Sequence, residues 1–553
     1  MADLTNDPTV PLISPQSPRR NEEGDDEGVM GYGGPTHHRP PGEPGHIRTL
    51  GLWPLVTLIF FEVSGGPFGT EDAVSAAGPL LTILGFLVFP ILWSVPEALI
   101  TAELATAFPE NSGYVAWVTA AFGPFWGFQE GLWSWLSGVT DNSLYPVMLA
   151  ANLEIFFPQL KEGWPKYVFL VGMSLLLSGL NFRGLTVVGN AVITSTLAIL
   201  VPFALLCVLC LPRLQVSNYT QVDWYNVNWP TFLNVMFWNL NYWDSVSTLA
   251  GEVRDPGRTF PRALLLAVVL VVAMYLLPTL AALGVQGATG DWKLGYYGMV
   301  AQQVGGSWLA VWIIVAAACS QVGQYQAEMA SDSYQVQGMA ERGFLPRALG
   351  RRSRYGTPVY GILLSSLGVL CLAYKSFEEI VTMLNAIYCL AELLEFAAFV
   401  WLRIKRPDLP RPYRVPLPTW GLVLMLLPAS ALLLVVLAMP FVNRDWETMG
   451  WTAGAVALGF VMHPALQFAK KRGWMAFDEM HFDCANVYDE HSGDVHPYGG
   501  SGGNGCAQGL LAAAPPAGAC ETNGHGAVVV VANGIKDCHH THGKDTGTDT
   551  GPA

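Results

Sequence analysis

Ser64-Gly65-Gly66-Pro67-Phe68-Gly69-Thr70-Glu71-Asp72 follows an apolar run from Leu50 to Val63. Three glycines and a proline cannot continue a regular helix. Two carboxylates then come where the hydrocarbon core of a bilayer is still expected. Broken backbone at membrane depth is tolerated only when buried in protein or lining a watery cavity. Ionisable groups at that depth are functional candidates. The first apolar segment therefore reads as half of a binding site. A lone break is also what a structural kink looks like, since Gly and Pro are frequent in membrane helices.

A second break removes that ambiguity. Between Phe232 and Val246, the residues Asn234, Asn239, Asn241, Tyr242, Trp243 and Asp244 crowd the middle of another apolar segment. A membrane-spanning helix needs about 20 apolar residues. That rule gives about twelve spans: 50–77, 80–106, 126–156, 166–182, 184–212, 229–250, 262–284, 306–333, 357–374, 379–403, 418–440 and 448–469. The interrupted ones are the first and the sixth. Two broken segments at matching positions in two halves are the sequence pointer to an inverted-repeat transporter, with its substrate near the midplane between the breaks. The expectation is an all-α membrane protein. Its transporter domain covers 48–472, with repeats at about 50–212 and 229–403 and two extra helices within 418–469. Residues 1–47 and 473–553, rich in Gly, Pro, His and Asp, read as disordered cytosolic tails.

Composition agrees. Of 553 residues, 51% are hydrophobic and only 13% charged, with 19 Trp and 26 Phe; soluble domains carry about 25% charged residues. Much of the net charge of −14 sits in acidic tail runs such as Glu22-Glu23-Gly24-Asp25-Asp26-Glu27. Nothing is basic enough for nucleic acid. The polar, proline-rich start shows no cleavable signal. The nine cysteines have no framework spacing. Five lie in apolar segments, where Cys packs as a small hydrophobe. Cys538-His539-His540-Thr541-His542 could hold a metal, but reads more simply as part of a polar low-complexity tail. No metal, cofactor or enzymatic nucleophile–base pair is expected.

Basic residues set the orientation. Arg254, Arg258 and Arg262, then Arg342 to Arg354, then Arg403 to Arg414, and finally Lys470, Lys471 and Arg472 all fall on one side if the spans number twelve. The positive-inside rule makes that side cytosolic, together with both tails. The sequon Asn218-Tyr219-Thr220 falls on the other side.

The intramembrane charges are acidic. Glu130 and Asp141 lie eleven residues apart, about three helical turns, so they share a face, with Asp141 about 16 Å deeper. Glu71, Asp72 and Asp244 join them at the breaks. No Lys or Arg lies inside a span except near its ends. Such a cavity suits a cation, and Phe68, Trp133, Trp135, Phe237, Tyr242 and Trp243 offer cation–π faces. Thr70-Glu71-Asp72 and Asp244-Ser245 are equally what helix caps look like. Glu97 and Glu103 fall toward the inner end of the second span, where Glu103 suits helix-end solvation or bundle packing. Glu328 and Asp332 stand at the inner end of the eighth, where they could line an exit or simply meet solvent.

The run Thr70 to Leu160 resembles the amino acid–polyamine–organocation superfamily. The pieces that carry the resemblance are the glycine-rich break, Ala102 to Tyr114 with its Phe108-Pro109-Glu110-Asn111-Ser112-Gly113 core, and Ala121 to Phe128. The loop Ala250 to Ala263 after the sixth span is similar too. Within the superfamily, Gly65 to Asp72 and Trp133-Ser134-Trp135 resemble the plant polyamine uptake transporters, an L-type amino acid transporter-like group. The superfamily's amino-acid carriers commonly have Gly-Ser-Gly or Gly-Ala-Gly at the break, where this chain has Gly66-Pro67-Phe68-Gly69. The resemblance implies a leucine-transporter-like fold; the expected location is the plasma membrane, with an endomembrane as the alternative. It also implies proton-coupled import of spermidine, spermine or putrescine, and of the dication paraquat.

On that reading the substrate site comprises Gly65, Gly66, Phe68, Glu71, Asp141, Asn241, Tyr242, Trp243 and Asp244. Carbonyls freed at Gly65, Gly66 and Asn241 would accept hydrogen bonds, and Glu130 or Asp141 would carry the coupling proton. The alternatives are an amino-acid exchanger of the same superfamily and a membrane sensor that binds polyamine without moving it.

Overall fold

The computed structural model describes residues 48–154, 157–288, 290 and 292–478, and the backbone pairing of 487–488 with 495–496. The expected tail at 1–47 and the Cys538–His542 run lie outside the described residues.

The first helix, α1 (Leu52–Val63), ends where its sequence turns to glycine. The amides of Ser64 and Gly65 both donate to the Phe60 carbonyl, at 2.9 and 2.8 Å. Gly65 has φ 62°, a left-handed conformation open mainly to glycine. The helix resumes as α2 (Thr70–Phe89), with a non-helical joint at Gly78, φ 78°, just where the sequence separates its first two spans. Pro79 cannot donate to the preceding turn, so the chain bends there into the second span. A π-helical segment at Pro90–Ser94 leads into α3 (Val95–Ala107). Pro90 and Pro96 bracket that segment, and proline is a common cause of such irregular turns.

Next come α4 (Tyr114–Phe122), α5 (Pro124–Asn142), α6 (Leu144–Glu154), α7 (Trp164–Asn181) and α8 (Leu185–Cys210). The expected third span is interrupted at Ser143 because Pro146 cannot bond to the Asn142 carbonyl one turn back. The second break separates α9 (Trp229–Trp238) from a 3-10 helix at Ser245–Glu252. Within it Tyr242 adopts φ 66°, costly for a residue with a side chain. There follow α10 (Pro256–Gln286), α11 (Tyr296–Gly305), α12 (Ser307–Glu341), α13 (Val359–Leu372), α14 (Phe377–Lys405), α15 (Thr419–Asn443) and α16 (Trp446–Arg472). The short helices α4 and α11 lie outside the twelve expected spans.

Among the described residues seven helical stretches are long and apolar enough to cross a membrane. The broken spans and α13 are shorter, but they are packed among the long ones. Helix α1 lies against α8, α10 and α12, while α14 packs on α5 and α15. The two broken spans also meet at one end of the bundle. Leu50 and Val253 form a parallel bridge, and the amides of Thr49 and Leu50 both donate to the Glu252 carbonyl at 2.9 Å. The Glu252 carboxylate accepts from Asn111 Nδ2 and Arg352 Nη2, each at 2.9 Å. Glu103 is likewise buried and bridged by Arg403 and by Arg411 at 2.9 Å. The structure therefore gives Glu103 bundle packing, not helix-end solvation.

Candidate substrate site

The two breaks face one closed space. Glu62, Val63, Asp141, Tyr145, Trp238, Asn239, Tyr242, Tyr275 and Gln324 line it, packed too closely to leave room for a water molecule. The geometry around Asp141 is firm. One oxygen accepts from the Trp238 indole N–H at 2.7 Å, and the other accepts from the Tyr145 hydroxyl. Helix α5 carries Asp141 inward from one side, and α9 ends with Trp238 opposite it.

Glu62 is the last acid before the first break and is buried. Its Oε1 accepts from Ser331 on α12, while Oε2 has no donor among the described residues. Glu328 and Asp332, also on α12, are buried beside Gly138 of α5. A Cβ at Gly138 would strike the oxygens of both. They therefore meet protein rather than solvent.

A second group of acids adjoins the second break. Asp244 occupies the cap position of the 3-10 helix but makes no capping bond. It accepts from Tyr388 of α14 at 2.8 Å. The same hydroxyl lies 2.8 Å from Glu97 and 2.9 Å from Glu392. Ser94, on the π-helical segment, donates to the Leu240 carbonyl freed at the break, at 3.2 Å. Glu130 accepts from Ser134 at 2.8 Å and faces Glu395. Among the described residues no Lys or Arg pairs with any acid of either group; the buried arginine contacts go to Glu103 and Glu252.

The residues named from sequence divide into two sets. Asp141, Tyr242 and Asp244 stand at the cavity or against it. Tyr242 bonds to Ser137 of α5 at 2.7 Å, and its amide donates to Tyr388 at 3.0 Å. Asn241 is fully buried, and among the described residues neither end of its amide side chain has a partner.

Phe68, by contrast, turns toward α8 and stacks edge-on against Phe203, centroids 5.3 Å apart. Glu71 accepts from the amides of Gly69 and Gly295, at 2.9 and 3.2 Å, which closes the α2 start and ties it to α11. The Gly65 carbonyl is taken by Ser320 Oγ at 2.6 Å, and the Gly66 backbone is bonded to Ser64. Trp243 donates to the Leu240 carbonyl at 2.8 Å and packs in the core. Geometry thus gives Phe68, Glu71, Gly65, Gly66 and Trp243 a part in shaping the breaks.

Sequence reasoning missed Glu62, Tyr145, Trp238, Tyr388, Glu392 and Glu395. For Glu392 and Glu395 the signal was present, since both are acids in mid-span. Glu62 stands two residues before the break, inside the apolar run. Trp238 and Tyr388 could not be singled out, because Asp141 for the one, and Glu97 and Asp244 for the other, come from distant elements, whereas Tyr145 stands only four residues from Asp141.

Residues 50–460 match the amino acid permease family. The chain is 53% identical over 435 residues to "Polyamine transporter PUT1" of Oryza sativa subsp. japonica, covering 78% of this chain and 81% of that one. It is 50% identical over 433 residues to "Probable polyamine transporter At3g19553" of Arabidopsis thaliana, covering 77% and 89%. It is 47% identical over 434 residues to "Polyamine transporter RMV1" of the same plant, covering 78% and 88%.

Proposed function

The chain belongs to the amino acid permease family, and from that premise we propose that it carries polyamines across a membrane by proton-coupled symport. As a member of a permease family it is a multi-pass transport protein, not an enzyme. The observation that carries the polyamine reading is the charge at the breaks. Glu62 and Asp141 line the space between the breaks, Asp244 is buried beside the second break, and among the described residues none of them has a basic partner. Removing an ion from water costs several kcal/mol even after relaxation. Carboxyls left there must hold protons or meet cations. A flexible chain bearing several ammonium groups supplies the cations, and the names of the relatives favour the same substrate.

In this reading one ammonium sits at Asp141 and Glu62, between Trp238 and Tyr242, and the Asn241 amide meets the chain of the substrate. Spermidine, spermine and putrescine are the natural candidates, and paraquat suits the same charges. Glu130 or Asp141 takes the coupling proton. At Glu130 that proton would relieve the contact with Glu395, since two facing carboxyls repel when both are charged. Glu328 and Asp332 line the way out. The repeats rock about the breaks, and the arginine-rich loops and both termini face the cytosol of a plasma membrane.

Radiolabelled spermidine uptake into transporter-deficient cells tests this reading. Uptake should rise as external pH falls, be indifferent to sodium, and resist competition by leucine. Leucine competing as well as spermidine would favour an amino-acid exchanger instead.

A further inference from the structure

The geometry points to a second ammonium site, formed by Glu97, Asp244 and Glu392, that recognises another charged nitrogen of the same substrate. This inference rests on the polyamine reading above.

One oxygen from each of the three carboxylates lies within 4.8 Å of the other two. Charge-assisted N–H···O bonds are about 2.7–2.9 Å long, so three acceptors around one tetrahedral ammonium stand about 4.6 Å apart. The spacing matches. In this structure the three acceptors close on the hydroxyl of Tyr388, at 2.8, 2.8 and 2.9 Å. A phenol has one hydrogen to give. Its oxygen also receives the Tyr242 amide at 3.0 Å. Glu97 has a second donor in the Trp243 amide, at 2.7 Å, so the shortfall falls on Asp244 and Glu392, at least one of which gets no hydrogen from the phenol. A primary ammonium that displaces the Tyr388 hydroxyl would bring three donors and a positive charge to the same acceptors.

The surroundings agree. Thr101 stands one turn beyond Glu97 on the same face of α3. It is fully buried, and among the described residues its hydroxyl has no partner. Among the described residues both oxygens of Glu395, one turn from Glu392 on α14, also lack a donor. Unsatisfied buried polar groups are rare, and each is a cost that a ligand can remove. The site is joined to the cavity at Asp141 through Tyr242, whose hydroxyl bonds to Ser137 of α5. A substrate long enough to span the two places can therefore occupy both, and a diamine too short to span them is served by the break alone.

The test is binding of spermidine and of putrescine to the purified full-length chain, wild type, Glu392→Gln and Thr101→Val. The quantity read is the ratio of the two affinities, which does not depend on how much of a variant is folded. The wild type should prefer the triamine. Glu392→Gln should weaken spermidine about tenfold, the scale of one charge-assisted hydrogen bond, and leave putrescine nearly unchanged. Thr101→Val should shift the ratio the same way by a smaller factor. A ratio of one in the wild type would overturn the inference, as would a ratio unmoved by Glu392→Gln. So would a magnesium ion held through Glu97 and Glu392 that spermidine fails to displace. If the wild type binds neither amine, it is the polyamine reading that fails.

Discussion

Glu71 and Asp141 are both fully buried carboxylates beside the first break, yet their partners separate them. Glu71 meets two backbone amides, which need an acceptor whether or not a substrate is present. Asp141 meets an indole N–H and a phenol across the cavity. Replacing Glu71 by Gln should therefore lower stability by about 1 kcal/mol, as for a lost helix cap, and leave spermidine affinity unchanged. Thermal unfolding and calorimetric titration of the purified chain check the two halves of that statement. Asp141→Asn should do the reverse, weakening spermidine at least tenfold at little cost in stability, because Asn keeps an acceptor for Trp238.

Sequence alone singled out Asp141 and Asp244, since an acid deep in a span has few uses. It left Glu71 open between cap and ligand, and only the amides of Gly69 and Gly295 separate those readings. Trp238 was illegible as a partner of Asp141 because 97 positions part them.

The elements were more legible than their contacts. The twelve apolar segments, the two breaks and the joint at Gly78 follow from runs of apolar residues punctuated by Gly and Pro. Helices α4 and α11 escaped because nine or ten residues fall below any spanning rule. The breaks hold by local geometry. Gly65→Ala would force a Cβ against Gln324 at a positive φ. Strain of that kind costs about 1–3 kcal/mol, which denaturant unfolding would detect.

The end of the bundle where the broken spans meet holds by polar contacts. Arg352 braces Glu252, whose backbone ties down Thr49 and Leu50. Arg352→Ala should loosen that end. A cysteine placed at Asn241 should then react faster with a thiol reagent applied from the arginine-rich side. An unchanged rate would mean that the brace does not hold this end closed.

At the scale of the molecule, charge orders the chain. Basic residues gather in loops at one end, and acids with no basic partner among the described residues gather within the spans. The first pattern was readable from sequence and gives the proposed orientation. Epitopes at both termini should be accessible only after the plasma membrane is permeabilised. The second was readable only in part, because Glu97, Glu392 and Glu395 are brought together with Asp244 by the packing of α3 and α14 around Tyr388.

The central claim is that these acids exist to hold a moving polycation. Spermidine accumulation in proteoliposomes of purified protein under an imposed proton gradient tests it most directly, comparing the wild type with Asp141→Asn plus Asp244→Asn. The account predicts accumulation by the wild type that collapses when the gradient is dissipated, and none by the double variant. Accumulation that survives the loss of both carboxylates would contradict it.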